Sequence, residues 1–140
     1  MALPRPEAGL VLSYAYLWHE EQREGQVEGR KDRPCIILAV ETIGDTRRVT
    51  LVPVTHSPPG SEGAAVELPS RVKAHLGLDD QPSWIVVNEA NQFMWPGFDI
   101  RQAPGMESAY GHIPPNLLLR INAAFLTNAR AGHLKLSNRD

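Results

Sequence analysis

Four residues combine types and spacing that could act together on a phosphate. Arg33 opens an apolar run, Arg33-Pro34-Cys35-Ile36-Ile37-Leu38-Ala39-Val40, and Thr55, His56 and Ser57 close a second one that begins near Val49. A Gly44-Asp45 pair sits between the runs and reads as a turn. In an antiparallel hairpin the start of one strand lies beside the end of the next. Arg33 and Thr55, 22 positions apart, are therefore expected side by side. A guanidinium offers a planar fork of donors and a hydroxyl adds another, which suits a phosphate oxygen. His56 is the candidate for proton transfer, because imidazole titrates near neutrality. In a regular strand His56 faces away from Thr55, and a bend at Pro53 or Pro58 would be needed to bring it round. Ser57 returns to the Thr55 face as a phosphate contact.

The elements that must position these residues are short. The chain reads as a single domain over 1–140, with 1–8 a Pro-containing tail, 9–131 the barrel and its closing helix, and 132–140 a frayed tail. Leu10 to Trp18 is a first strand, and His19 to Asp32 a long charged loop. Arg33–Glu41 and Arg47–Thr55 are the central pair, with Pro53 requiring an edge, a bulge or a strand end. Ala64–Leu68, Ser83–Asn88 and Gln92–Trp95 are later strands. A helical turn lies between Ser70, the expected N-cap, and Gly77, the expected stop. After Pro114 and Pro115, the residues Leu117, Leu118, Ile121, Ala124, Phe125 and Ala129 form one apolar helix stripe that covers an open end of the sheet. The expected fold is mainly β with a C-terminal helix: a half-open antiparallel barrel of roughly five or six strands.

Composition bounds the function. The chain has 140 residues, 42% hydrophobic and 21% charged, as in an ordinary globular domain. A net charge of −2 argues against a broad nonspecific grip on duplex nucleic acid. Arg30, Lys31 and Arg33 nevertheless crowd one segment and read as a local basic rim. The one cysteine, Cys35, sits in an apolar run, reads as a buried small side chain and fits a reduced, cytoplasmic setting. The apolar stretch from Ala8 to Trp18 is too short for a membrane helix and carries Ser13, Tyr14 and Tyr16, so no membrane partner is expected. His19 with Glu20 and Glu21 has no second ligand set at a suitable spacing, so no metal or other cofactor is implied. Among the tryptophans, Trp18 and Trp84 read as packing residues. Trp95, followed by Pro96-Gly97, is the candidate for stacking on a base.

Several of these features occur together in one family. Gly9-Leu10-Val11 leads into an aromatic first strand. A glycine-bearing loop follows, and Arg33-Pro34 opens the next strand. Val52-Pro53-Val54-Thr55 closes the third strand, a strand pair spans Trp84 to Trp95, and a last helix starts at Pro115. Over roughly residues 9 to 130 this layout resembles the MazF/PemK family of toxin ribonucleases. The resemblance implies an SH3-like half-open barrel of the MazF/PemK/CcdB kind, usually a homodimer, made beside a cognate antitoxin in a type II toxin-antitoxin system. It also implies metal-independent cleavage of single-stranded RNA at short sequence sites, leaving 2′,3′-cyclic phosphate and 5′-hydroxyl ends. The family's strand-opening arginine falls on Arg33 and its strand-closing threonine on Thr55. The chain departs from the pattern in a longer, more charged first loop, in His56 after the threonine, and in the Pro-rich loop that follows. A reading of another class keeps the barrel without catalysis, as a binding module or a protein-targeting growth inhibitor.

Overall fold

The computed structural model describes residues 4–23, 32–97, 100–101 and 109–140. Among them, nine strands and three helices run in the order β1 (Leu10–Tyr14), α1 (His19–Arg23), β2 (Arg33–Ile43), β3 (Thr46–Thr55), β4 (Ala65–Glu67), α2 (Ser70–Leu76), β5 (Trp84–Val86), β6 (Glu89–Met94), β7 (Ile100–Arg101), β8 (Gly111–His112), α3 (Pro115–Arg130) and β9 (Lys135–Asn138). The fold is mainly β, an open and largely antiparallel sheet with one long C-terminal helix. No described helix is long and apolar enough to cross a membrane.

The β2–β3 hairpin is the spine of the sheet. Its loop is Gly44-Asp45, and Gly44 takes a φ of 61°, while among the described residues only glycines have a positive φ. A positive φ at the first central position alone is the pattern of a type II′ turn, where glycine avoids a Cβ clash. From the turn the register runs to Cys35 opposite Pro53, interrupted by a bulge between Ile37 and Ala39. β1 lies antiparallel on the other edge of β2, with Tyr14 opposite Arg33.

Pro53 was expected at an edge, a bulge or a strand end, yet it is buried in the middle of the sheet. The second edge of β3 explains this. Arg48 to Leu51 pair with β6, Val54 and Thr55 pair with β5, and Pro53 falls in the break between the two partners. A missing N–H is tolerated where the ladder is interrupted.

Side-chain alternation splits the core over the two faces of the sheet. Ile36, Leu38, Val52, Val54 and Ile85 pack with α2 and with Leu117 and Ile121 of α3. Cys35, Ile37, Val49, Leu51, Tyr14, Tyr16 and Phe93 fill the other face. Burial of Cys35 lifts its thiol far above the usual range, which keeps it a neutral packing group.

Three local readings differ from the sequence. Ser70 is the first residue of α2 and not its cap; the cap position is Pro69, without a side-chain hydrogen bond. The final turn of α3 is anchored by Asn128 and not by Ala129, because the Asn128 amide donates to the carbonyls of Gly63, Val87 and Ala124. The segment expected to fray forms β9, parallel to β6 with Leu136 opposite Ala90.

Candidate functional site

The β2–β3 register ends with Cys35 opposite Pro53, and Arg33 and Thr55 each lie two residues beyond that pair. The two side chains line one cavity of about 420 Å3. Arg33 is partly buried, and its guanidinium lies over the Trp18 ring, 5.0 Å from the centroid. Such stacking stabilises a cation by about 0.5–2 kcal/mol. The Arg33 Nε is buried and has no hydrogen-bond partner, and no carboxylate forms an ion pair with Arg33 among the described residues. A buried unsatisfied donor costs about 1–3 kcal/mol, a cost an anionic ligand would remove. The Thr55 Oγ1 accepts the Ser57 N–H at 3.2 Å. Its own proton has no acceptor among the described residues and can be offered to a ligand.

The rest of the cavity comes from three places. Ser57, Pro58, Pro59 and Gly60 form its rim after β3; Ala64, Ala65 and Val86 supply an apolar wall; Asn88 and Glu89 enter from the β5–β6 connection. The Asn88 side-chain amide has no partner among the described residues.

Glu89 is the titratable group that reading the sequence left outside the site. Its Oε1 accepts the Tyr16 hydroxyl at 3.0 Å and the His19 backbone N–H at 3.1 Å. Burial raises its carboxyl above the ordinary 4.5, and the two donors only partly oppose that shift. Burial, and next the Glu89 charge, hold the Tyr16 phenol well above its usual range, so Tyr16 stays a donor. The segment that carries Trp18 and His19 is clamped from below. Asn91 accepts the Leu17 N–H at 2.9 Å and donates to the Leu17 carbonyl at 2.8 Å, and Arg139 bonds both Asn91 and the Ala15 carbonyl at 3.0 Å.

The other expected site residues fall in different places. Ser57 lines the cavity beside Thr55. His56 does not line it: the strand keeps its alternation through Thr55, and the His56 ring turns to Asp79, Nε2 to Oδ2 at 2.8 Å. The Asp79 Oδ1 accepts Lys73 Nζ at 2.6 Å, and Lys73, buried, also donates to the Ser83 hydroxyl and the Gln81 carbonyl. Lys73 chiefly holds the Asp79 carboxyl below its ordinary 3.8. Trp95 also lies away from the cavity, its ring stacked 6.3 Å from Phe93 and its backbone N–H donating to the Arg47 carbonyl. Trp18 is the tryptophan at the site. Arg30 and Lys31 lie outside the described residues.

The arrangement gathers a cation, a hydroxyl donor, a carboxylate with a raised pKa and a planar aromatic around one cavity. That set can hold a phosphodiester and move a proton. Comparison with family models, with curated proteins and with solved structures returned no match for the chain.

Proposed function

We propose that the protein is an endoribonuclease: the toxin of a type II toxin-antitoxin pair, folded as an SH3-like half-open barrel of the MazF/PemK/CcdB kind, which cuts single-stranded RNA without a metal. The observation that carries this reading is one cavity shared by Arg33, with its buried Nε unsatisfied, Thr55 and Glu89. Transesterification needs a base for the 2′-hydroxyl, charge on the phosphorane balanced, and a proton for the leaving 5′-oxygen. The Glu89 carboxylate takes the 2′-hydroxyl proton as the 2′-oxygen bonds to phosphorus; a raised pKa brings a carboxylate closer to the pH at which it must work. Arg33 and the Thr55 hydroxyl hold the non-bridging oxygens, and a preorganised donor of this kind contributes about 3 kcal/mol. The P–O5′ bond then breaks and the 5′-oxygen takes a proton from water, leaving a 2′,3′-cyclic phosphate and a 5′-hydroxyl.

A homodimer and a cognate antitoxin belong to the same reading. Leu119, Leu126 and Leu136 are exposed leucines of the kind a partner would cover. The test is incubation of the folded protein with single-stranded RNA in excess EDTA, with Thr55→Val in parallel. Cleavage by the parent and a loss of about 100-fold in the variant support the reading. A folded parent that cuts no RNA favours a noncatalytic binder on the same scaffold.

A further inference from the structure

β9 gains little from burying its own side chains: Lys135, Leu136 and Asn138 are exposed, and only Ser137 is buried. The strand is held by its backbone ladder to β6 and by the two residues that follow it. The Arg139 N–H donates to the Gln92 carbonyl at 2.8 Å, and the Asp140 carboxylate accepts the Met94 N–H at 3.0 Å. The Arg139 guanidinium lies over the Tyr14 ring, 5.4 Å from its centroid. Its Nη1 donates to the Ala15 carbonyl and to Asn91 Oδ1, each at 3.0 Å, and to the Tyr14 hydroxyl at 3.3 Å. All three acceptors belong to buried residues, where charge-assisted hydrogen bonds are strong.

Asn91 Oδ1 also accepts the Leu17 N–H, and Asn91 Nδ2 donates to the Leu17 carbonyl. The guanidinium therefore fixes which way this amide faces. Reversed, the amide would set its N–H2 against both the Arg139 donor and the Leu17 N–H. Only the observed orientation serves both backbone groups of Leu17, and Leu17 is followed by Trp18, the ring on which Arg33 stacks. Resting on the ribonuclease reading above, we propose that Arg139 is a positioning residue for RNA cleavage: through Asn91 and the Ala15 carbonyl it holds the backbone at Leu17, and so keeps Trp18 against the Arg33 guanidinium. The site then depends on the docking of a polar strand none of whose residues lines the cavity.

The test is a double-mutant cycle between Arg139→Met, which keeps the apolar stem and removes the donors, and Trp18→Ala. Kinetics on one short RNA are read beside amide hydrogen exchange. Arg139→Met should lose about fivefold in kcat/KM, and about twofold or less when added to Trp18→Ala, because both changes act through one contact. The Leu17 N–H should exchange about tenfold faster in Arg139→Met while the amides of β2 and β3 keep the parent's protection, which separates loosening at Leu17 from loss of the sheet. Arg139→Lys offers an ammonium to the same acceptors and should restore most of the rate and of the Leu17 protection. Three results overturn the proposal while leaving the ribonuclease reading intact: the parent's rate in Arg139→Met, losses that multiply in the double variant, or unchanged Leu17 exchange. If Arg139→Met does not fold, Arg139→Lys decides instead, and faster Leu17 exchange beside the parent's rate overturns the proposal. A parent that cuts no RNA overturns both.

Discussion

The guanidinium of Arg33 lies over the indole of Trp18, 5.0 Å from the ring centroid, and pairs with no carboxylate among the described residues. The stack fixes the cation while leaving its charge without a counter-ion among the described residues. An ion pair would fix it equally well but would compete with a bound phosphate. Glu89, the acid that lines the same cavity, is engaged by Tyr16 and by the His19 N–H.

Trp18→Ala should therefore weaken the site without unfolding the sheet. A lost cation–π contact of about 1 kcal/mol corresponds to about a fivefold fall in kcat/KM for RNA cleavage. Trp18→Phe should recover most of it, because a flat π face remains. Steady-state kinetics on one short RNA check this, with circular dichroism to confirm the fold. An unchanged rate in Trp18→Ala would show that the stack does not position Arg33.

Glu89→Gln should lower kcat by about 100-fold or more, the usual worth of a positioned proton acceptor. It should also alter the pH dependence of stability. The folded-state pKa of Glu89 is raised by burial, so the folded chain keeps this proton after the unfolded chain has lost it. The resulting stabilisation is complete below about pH 4.5 and fades as pH rises through the folded value. Urea unfolding across pH 4 to 8 should show that decline in the parent and a flatter line in Glu89→Gln. In the parent, cleavage should increase over the same interval as the carboxylate ionises.

His56 and Asp79 separate structure from catalysis. His56→Ala should keep cleavage within about twofold, since the ring faces Asp79 and does not line the cavity. Asp79→Asn removes the anion from buried Lys73. Breaking such a pair costs about 3–5 kcal/mol when both groups are buried, and the half-exposed Asp79 reduces that to about 1–2 kcal/mol. Because the Asp79 carboxyl is lowered in the fold, its contribution is present above about pH 3.8 and is lost as pH falls toward the folded value. Acid unfolding should be less steep in Asp79→Asn. A large loss of cleavage in His56→Ala would return His56 to the reaction.

The parts of the molecule legible in the sequence are those with local signals. The β2–β3 hairpin was marked by two apolar runs and a glycine turn, and α3 by Leu117, Leu118, Ile121, Ala124 and Phe125 at helical spacing. That hairpin was enough to bring Arg33 and Thr55 to one cavity, because register follows from the turn. Strand alternation at Thr55 already opposed His56. What was missed depends on distant partners. β9 is a polar segment held by pairing with β6, and Asn128 is buried because three carbonyls need its amide. Trp18 is held at the site by distant partners, among them Asn91, which clamps Leu17 from 74 positions away. Glu89 left no local trace, because its burial depends on Tyr16 and His19, 73 and 70 positions away.

The most direct measurement is the end chemistry of RNA cut by the parent and by Arg33→Ala, both folded and both in excess EDTA. The account expects the parent to leave 2′,3′-cyclic phosphate and 5′-hydroxyl ends, and Arg33→Ala to lose at least about 100-fold of that cleavage. Cleavage that persists in Arg33→Ala, or that leaves 5′-phosphate ends, would contradict it.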